Sequence, residues 1–435
     1  MKIALVTNFL YPDGLGGTEL YCYQLANSLG ERGNEVYWFV PNFNSTATIS
    51  EERSKRIKVI KFAAVNDELK SGLEFTAGSF IKEMKARDIR IAHFNEFGGD
   101  EGISIGLLAA TKKAGIATIV TLHLANYVCR AGTLHYGGIQ PCNGKIICSR
   151  CSSCHLFSGM TSSDGFNLKL VVFFEKLFKI SSVQKLPKIK SLVNGINLKE
   201  GFIASINENA DRIVSLTNWF MDVLVINGVS EKKIVYIPQA SPQISENVLT
   251  KENQTRKDYI FVGRVNKEKG IDLLLDIAAK LKKNLPGVII DLYGPYTPTD
   301  VLPHTNIANL AGFDNVRYKG ILPLHEVLPV MNKYKAVILP SRVAEMAPLV
   351  IMEANRLKMP VIASDVPGSA ELIRQYDCGL IFKYGSSNDL YKKITEIEED
   401  MHDFVFKQPG ENNFFHIAQK FEEVYAAVSR NSPLK

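Results

Sequence analysis

Long apolar segments are absent from this sequence of 435 residues. The apolar run at its start is too short for a signal peptide and is interrupted by Pro12 and Asp13. No other stretch approaches the roughly 20 apolar residues that a membrane-spanning helix requires. These absences predict a cytoplasmic protein whose contact with a membrane would be peripheral and at the inner face.

Repeats, low-complexity tracts and the composition of a disordered chain are also absent. Hydrophobic residues make up 46% of the chain and charged residues 22%, as is typical of soluble globular proteins. The net charge of +6 suits anionic ligands or an acidic membrane surface, and it does not require a nucleic acid partner. The length exceeds that of one compact core and predicts two or three domains.

The glycine signature of dinucleotide-binding dehydrogenases is incomplete. No G-x-G-x-x-G follows the first predicted strand, Lys2–Thr7, and no acidic residue is placed to bind an adenosine ribose. Gly16 and Gly17 do precede a predicted helix, Thr18–Arg32, where a phosphate could approach free amides and the helix dipole. A simple turn explains this glycine pair equally well.

Both halves of the chain alternate between apolar strand-like runs and segments with helical periodicity. This alternation is typical of α/β proteins with doubly wound sheets, and it predicts two facing Rossmann-like domains with a deep cleft between them. The polar segment Pro242–Lys257 is the predicted linker. The predicted domains are residues 1–245 and 256–405, followed within 406–435 by a helix that packs back towards the first domain.

Two carboxylates lie in a predicted strand–loop–helix–strand unit at Val337–Ser369. Glu345 is in its loop and Glu353 in its helix. Residues eight apart on an ideal helix are separated by about 80° and about 12 Å, so one small molecule could contact both carboxylates. Because ligands bind at the carboxyl ends of parallel strands, this unit is a predicted binding site.

A second polar turn follows the predicted strand that begins at Tyr259. It contains Arg264 and Lys269 next to glycines, and these two cations could clamp a diphosphate. A solvated charged turn would have the same composition.

Histidines also follow predicted strands in the first half. His123 comes directly after the strand Ala117–Thr121, a position more typical of a binding site than of a core. His93 and Asn95 follow an earlier strand and are predicted to line the same crevice.

Five of the seven cysteines lie close together in the first half. They are Cys129, Cys142, Cys148, Cys151 and Cys154, and the last three form a C-x-x-C-x-x-C pattern. Such clustering in a cytoplasmic chain favours metal over disulfides. Four of the five thiolates would hold a structural zinc ion, and the spacing does not identify the surplus cysteine. An iron–sulfur cluster and a reduced, metal-free loop are the alternatives.

The predicted helix Phe166–Ile180 combines an apolar face with a basic one. Its apolar residues are Leu170, Phe173, Phe174 and Leu177, and its lysines are Lys169, Lys176 and Lys179. Such a helix could lie on an anionic membrane. An ordinary amphipathic helix packed on the sheet would show the same pattern.

The order of several sequence elements carries a resemblance to a known family. GRVNKEKG is followed by ILPSR, by Glu345 and Glu353 with seven residues between them, and by PVIASDVPGSAELI. With the shorter elements GGTE and TLH of the first half, the chain resembles the retaining nucleotide-sugar glycosyltransferases of family 4, which have the GT-B architecture. The segment 126–160 resembles a cysteine-bearing insertion found in some members.

The resemblance implies that the second domain binds the donor and the first domain the acceptor. Arg264 and Lys269 would bind the donor diphosphate, and Glu353 would accept hydrogen bonds from the ribose. Glu345 would contact the transferred sugar, whose hydroxyl groups His123 would orient. The other implied donor contacts are Gly16, Gly17, Ala347, Leu349 and Val350.

The implied activity is that of a hexosyltransferase using a UDP- or GDP-sugar. The acceptor would be a saccharide or a lipid-linked saccharide, as in the synthesis of cell-surface polysaccharides. The sugar would keep its anomeric configuration by same-face attack. No metal cofactor is expected for catalysis, because fixed cations would neutralise the diphosphate and no convincing Asp-x-Asp motif is present. A nucleotide-sugar epimerase of similar architecture is the alternative. A protein that binds nucleic acid through a zinc knuckle is disfavoured, since no basic and aromatic cluster surrounds the cysteines.

Two positions depart from the family pattern. After Glu345 the sequence reads Met-Ala-Pro-Leu where Gly-Leu or Gly-Asn is usual, and Pro348 has no N–H to offer the sugar. Gln239-Ala240 replaces the customary Asn-Gly after the last apolar run of the first domain. Both departures leave the identity of the donor open.

Overall fold

The structure is a computed structural model that describes residues 1–11, 17–43, 49–54, 56–64, 70–98, 102–138, 140–157, 166–184, 186–240, 256–296, 310, 312–408 and 413–429. Gly16 and residues 241–255, which make up most of the predicted linker, lie outside these ranges.

The first half of the chain forms an eight-stranded sheet and a separate small hairpin. The strands are β1 (Lys2–Val6), β2 (Glu35–Asn42), β3 (Ile49–Ser54), β4 (Ile57–Ala63), β5 (Ile91–Phe94), β6 (Ala117–Leu122), the hairpin β7 (His135–Tyr136) and β8 (Gln140–Pro141), β9 (Arg212–Ser215) and β10 (Ile234–Tyr236). The sheet order is β10-β9-β6-β5-β1-β2-β4-β3, and only β3 and β4 pair antiparallel. The chain reverses its direction across the sheet between β1 and β5, where such sheets form a ligand crevice.

The helices of this half flank the sheet and form the insertion. They are α1 (Gly17–Glu31), α2 (Lys70–Ala86), α3 (Ile105–Lys113), α4 (Cys148–Phe157), α5 (Phe166–Phe178), α6 (Ser181–Gln184), α7 (Pro187–Asn209) and α8 (Asn218–Ile226).

The second half forms a six-stranded parallel sheet. Its strands are β11 (Lys257–Val262), β12 (Ile290–Tyr293), β13 (Val316–Gly320), β14 (Tyr334–Leu339), β15 (Val361–Ser364) and β16 (Gly379–Phe382), in the order β13-β12-β11-β14-β15-β16. Its helices are α9 (Ile271–Asn284), α10 (Leu324–Met331), α11 (Leu349–Arg356), α12 (Ser369–Tyr376) and α13 (Ser387–Glu398). The apolar strands are buried on both faces, as is typical of parallel sheets. The predicted α/β fold with two Rossmann-like domains is therefore confirmed.

The last helix, α14 (Phe414–Ser429), packs on α1 of the first domain. Its buried residues Phe421 and Tyr425 join the core of that domain. Glu422 forms an ion pair with Arg32 at 2.8 Å. The C-terminal segment thus returns to the first domain after the second sheet is complete.

Three helices of the first half, α4, α6 and α7, were not predicted. Cys148, Cys151 and Cys154 lie on α4. Their spacing of three residues places them on one face of this helix. The 23-residue helix α7 contains Gly195, which interrupts its apolar spacing. Arg130 lies against that glycine, where a Cβ would come within 1.2 Å of Nη1, so a larger residue there would require the arginine side chain to move. Among the described helices, none is long and apolar enough to cross a membrane.

Candidate active site

Lys269 and Glu345 form an ion pair at the carboxyl edge of the second sheet. They are 76 residues apart, but they follow the neighbouring strands β11 and β14. The Nζ atom of Lys269 lies 2.5 Å from Oε1 of Glu345, and the Ser341 hydroxyl donates to the same oxygen at 2.6 Å. The two charged side chains are only 18% and 14% exposed. Adjacent strands thus bring together the predicted cation and carboxylate, and they add Ser341, which was not predicted.

The turn that carries Lys269 depends on close backbone contacts. Gly270 has a φ of +75°, and a Cβ at this position would lie 1.8 Å from the carbonyl oxygen of Pro340. Asn266 Oδ1 accepts the amide of Lys269 at 3.0 Å. Helix α9 begins at the next residue, Ile271, so the positive end of its dipole lies at the same sheet edge. The turn therefore combines a lysine and a helix N-terminus, both suited to an anion.

Two arginines near this turn have different surroundings. Arg342 forms a two-pronged ion pair with Asp272, at 3.2 and 2.7 Å, and this pair ties the loop after β14 to α9. Arg264 is exposed and, within the described ranges, has no ion pair. Arg342 is accordingly a structural arginine, whereas Arg264 can take an anionic ligand.

Glu353 lies on α11, which begins at Leu349 after Pro348. Because the helix starts there, Glu345 lies outside it, and the ideal-helix separation of the two carboxylates does not apply. Burial raises the pKa of Glu353 to about 7. The amides of Leu349 and Val350 are in the first helical turn and have no acceptor within the helix. Ala347 lies just before them in the chain.

On the first-domain side, His123 follows β6 as predicted. Its Nε2 lies 3.4 Å from Asn95 Oδ1, and its ring meets the edge of Tyr21 with 4.9 Å between the ring centres. Burial lowers the pKa of His123 to about 3, so the ring is neutral at physiological pH. Tyr21, on α1, was not predicted. Both of these contacts of His123 are with uncharged side chains.

The prediction that His93 lines this crevice is wrong. His93 is fully buried, and its two ring nitrogens contact the hydroxyls of Tyr425, at 2.8 Å, and Thr121, at 2.7 Å. Its partner Tyr425 lies on α14, 332 residues away in the sequence. The pattern of strands in the sequence could not predict this contact. Asn95 remains beside His123.

The glycine pair is described only at its second member. Gly17 begins α1, and a Cβ added there would have no atom of the described residues within 4 Å. Gly16 lies outside the described residues.

The loop that carries Glu345 is held against the first domain. The amide of Ala344 donates to the carbonyl of Gly132 at 3.0 Å, and Met346 packs in the first-domain core. Nearby, the ring of Tyr384 stacks on His135 with 3.6 Å between the centres. The donor-side loop is thus in direct contact with the cysteine-bearing insertion.

A second interdomain contact involves Glu371 on α12. Its carboxylate accepts the backbone amides of Asn218 and Trp219, both at 3.0 Å. These amides begin α8 of the first domain, so Glu371 caps a helix across the domain boundary.

The five predicted metal ligands fall into two groups. Cys129, Cys142, Cys151 and Cys154 line one cavity in the insertion. Cys148 is separate, with Ser152 and Glu200 as its electrostatic neighbours. Among the described residues, no three Cys, His, Asp or Glu side chains are grouped at metal-coordinating distances.

Helix α5 has one packed face and one exposed face. Leu170 and Phe174 pack with Tyr136, Phe157 and Val171 in a small core, as expected of an ordinary amphipathic helix. Phe173, predicted to share their face, is instead 61% exposed. The exposed side of α5 also carries Val172, Lys169, Lys176 and Lys179.

Comparison with known sequences gives a family for the second domain. Residues 245–408 match the family model described as Glycosyl transferases group 1. An uncharacterized glycosyltransferase of Methanocaldococcus jannaschii is 23% identical over 270 residues, which cover 60% of this chain and 64% of that protein. The GtfA subunit of a UDP-N-acetylglucosamine–peptide N-acetylglucosaminyltransferase of Streptococcus pneumoniae is 34% identical over 139 residues, 32% of this chain and 26% of that protein. The chain thus matches less than two thirds of the length of these relatives.

Solved structures share the whole fold. Sucrose-phosphate synthase of Thermosynechococcus elongatus has a TM-score of 0.64 at 18% identity, with 99% of this chain and 100% of that chain covered. HepE of Anabaena in complex with UDP has a TM-score of 0.63 at 16% identity, with coverages of 98% and 100%. The protein therefore has the GT-B architecture of two facing Rossmann-like domains. Within it, the second domain is a match to the group 1 glycosyltransferases.

Proposed function

We propose that this protein is a retaining, metal-independent hexosyltransferase of the family 4 type. It transfers a sugar from a nucleotide-sugar to a saccharide or lipid-linked saccharide. The observation that carries the proposal is the cluster of Lys269, Glu345 and Ser341 at the edge where β11 and β14 end. The match of residues 245–408 to a transferase family favours transfer over epimerisation.

The cations of the second domain stabilise the leaving nucleotide. Lys269 and Arg264 lie on one turn, beside the N-terminus of α9, where negative charge on a diphosphate is favoured. The ammonium group of Lys269 has three N–H donors, so it can bind a phosphate oxygen while it keeps one bond to Glu345. Fixed positive charge of this kind does the work that a divalent metal does in other transferases.

The two carboxylates hold the ends of the donor. Glu353 accepts hydrogen bonds from the ribose hydroxyls, and Glu345 contacts the transferred sugar together with the amides of Ala347, Leu349 and Val350. Ser341 and Lys269 keep Glu345 in place before the donor binds. Pro348 removes one amide from this row, which is a reason to expect a donor preference different from that of relatives with glycine there.

The first domain orients the sugar and admits the acceptor. His123 is neutral, so it can exchange hydrogen bonds with sugar hydroxyls without competing with the cations for the diphosphate. The acceptor enters over Gly17, where a Cβ would meet no atom of the described residues within 4 Å. Its hydroxyl attacks from the face that the diphosphate leaves, and a diphosphate oxygen takes its proton.

A UDP-sugar is the first donor to test, because GtfA uses UDP-N-acetylglucosamine and HepE binds UDP. A GDP-sugar is the second. Contact with an anionic membrane through Phe173 and the lysines of α5 would place the enzyme beside a lipid-linked acceptor at the inner face of the membrane, as in the synthesis of cell-surface polysaccharides.

The test is transfer from radiolabelled UDP- and GDP-sugars to a panel of saccharide and lipid-linked acceptors, with analysis of the anomeric configuration of the product. We expect a product with retained configuration in the presence of EDTA. Hydride transfer, epimerised donor without product, or a strict need for a divalent metal would contradict the proposal.

A further inference from the structure

The cysteine-bearing insertion holds thiols that the proposed transfer reaction does not use. Cys129, Cys142, Cys151 and Cys154 line one cavity, although they come from three separate segments. Cys129 follows the turn Ala125–Tyr127, Cys142 follows the hairpin β7–β8, and the other two lie one turn apart on α4. Cys151 and Cys154 are each close enough to Cys129 and Cys142 to interact with their charges.

Backbone amides surround two of these sulfur atoms. The Gly137 N–H donates to Sγ of Cys154 at 3.3 Å, and the Ile147 N–H donates to Sγ of Cys151 at 3.4 Å. Hydrogen bonds of this kind would stabilise the negative charge of a metal-bound thiolate. Burial acts in the opposite direction and raises the pKa of both thiols, so a bound ion would have to displace their protons. In metal sites, hydrogen bonds to the ligand groups also orient those groups towards the metal.

Positive side chains lie around the same cavity. Arg130, Lys145 and Arg150 line it, and Arg150 also stacks over the ring of Tyr136 at 4.6 Å. Four thiolates around a divalent ion carry a net charge of −2, which these cations offset. In contrast, Cys148 does not line this cavity, and the charged side chain that acts on it among the described residues is Glu200.

We propose that Cys129, Cys142, Cys151 and Cys154 bind one structural zinc ion, and that Cys148 is the surplus cysteine. Four sulfur ligands from a short, irregular segment are the usual setting of a structural zinc site. The thiols are not at coordinating distances in the described structure, so binding requires the side chains to rotate about their Cα–Cβ bonds towards the centre of the cavity.

The site would brace the contact between the domains. Gly132 and His135 lie between the ligands Cys129 and Cys142, and they contact Ala344 and Tyr384 of the second domain. A bound ion would hold this segment in place beside the loop of Glu345. The metal site itself does not depend on the proposed transferase function, and it is tested without any activity assay.

The first experiment measures metal in the full-length wild-type protein, purified without chelator and dialysed. We expect about one zinc per chain by elemental analysis, and a strong thiolate-to-cobalt absorption after exchange with Co²⁺. Less than about a tenth of a zinc per chain, combined with no cobalt–thiolate band, would overturn the proposal. Iron with acid-labile sulfide would overturn it in favour of a cluster.

Alkylation by N-ethylmaleimide then identifies the ligands without any substitution. All five cysteines of the insertion are partly exposed, so exposure alone protects none of them. We expect Cys148 to be labelled at once and the four ligands only after a chelator is added, as read by peptide mass spectrometry. Equal labelling of all five before chelation would contradict the ligand set.

Substitutions provide a matched pair on one helix. Cys148→Ser should retain the full zinc content, whereas Cys151→Ser should lose most of it and lower the thermal midpoint. If Cys151→Ser is insoluble, the alkylation pattern decides. Loss of zinc in Cys148→Ser would contradict the assignment of Cys148 as the surplus cysteine.

Discussion

The two sides of the cleft are built from different chemistry. On the donor side, charged groups pair with one another: Lys269 with Glu345, and Arg342 with Asp272. On the acceptor side, His123 is held neutral by burial and is surrounded by Asn95 and Tyr21, which are uncharged. Under the proposed function, the charged side would neutralise the diphosphate and the uncharged groups would orient hydroxyls.

The two sides also differ in how they are assembled. The donor side is made of two short turns, each close in sequence to its strand. The acceptor side collects residues from α1, β5 and β6, and α14 packs behind it, with Phe414 against Tyr21 at 5.5 Å between ring centres. Substitutions on the donor side should therefore act on the nucleotide, and substitutions on the acceptor side should act on transfer.

The largest effect is expected for Lys269→Ala. Removing this cation, which is only 18% exposed, should lower the transfer rate by about 10²–10³-fold, because the leaving diphosphate loses its main fixed positive charge. Initial rates at saturating acceptor would measure this. The control is Lys267→Ala in the same turn, which should keep near-normal activity. Equal rates for the two variants would contradict the role of Lys269 at the diphosphate.

His123→Ala should lower kcat by about 10–10²-fold and leave UDP affinity within about twofold, because the ring contacts the sugar rather than the nucleotide. Isothermal titration with UDP and steady-state kinetics separate the two quantities. The low pKa of His123 also predicts that its titration does not shape the rate between pH 5 and 8. A loss of UDP affinity equal to the loss of kcat would place His123 on the donor side instead.

Glu353 predicts a pH dependence of nucleotide binding. Its pKa of about 7 in the ligand-free protein means that the carboxyl group is mostly protonated below pH 7. If the ionised form accepts the ribose hydroxyls, binding must release a proton there. UDP affinity should then rise about tenfold per pH unit below 7 and level off above it.

Titration calorimetry at several pH values would measure this dependence, and buffers with different ionisation enthalpies would count the proton released. Glu353→Gln cannot ionise, so its binding should be weak and independent of pH in this range. A wild-type affinity that is flat between pH 5.5 and 7 would contradict the assigned role.

A smaller effect is expected for Glu371→Gln at the domain boundary. The carboxylate caps α8 from the other domain, so its neutralisation should cost about 0.5–2 kcal/mol in the free energy of unfolding. Chemical denaturation would measure the change. Glu399→Gln, at an exposed glutamate just after α13, is the control and should change stability by less than about 0.5 kcal/mol.

The smallest effect concerns the membrane. Phe173→Ser should reduce sedimentation with anionic liposomes a few-fold at low salt, because it removes an exposed apolar side chain from a basic surface. The control is Phe75→Ser, at an exposed phenylalanine of α2, which should not change binding. Equal effects of both substitutions, or no wild-type binding at low salt, would remove α5 as a membrane surface.

Much of the donor side could be predicted from the sequence because its information is local. The strand Val361–Ser364 and the helix around Glu353 lie within a few residues of their predicted positions. The pairing of Lys269 with Glu345 could not be predicted, because it depends on β11 and β14 being neighbours in the sheet. The hydrogen bond from Ser341 to Glu345 was not predicted either.

The acceptor side was harder to predict because its contacts are long-range. His93 was expected in the crevice, yet its partner Tyr425 comes from the last helix of the chain. The length of α7 was hidden by Gly195, which lies against the Arg130 side chain. The surplus cysteine also could not be identified from spacing, because Cys148 and Cys151 lie one turn apart on α4 and only packing distinguishes them.

The most direct test of the account is the thermal stability of the protein with UDP, GDP, ADP and their common sugar conjugates. A ligand that binds the native state raises the melting temperature, and the rise grows with its affinity and its concentration. We predict that one nucleotide, UDP first among them, stabilises the wild-type protein, and that Lys269→Ala and Glu353→Gln lose this stabilisation while Lys267→Ala keeps it. No stabilisation by any nucleotide, or equal stabilisation of all four proteins, would contradict a donor site built on Lys269 and Glu353.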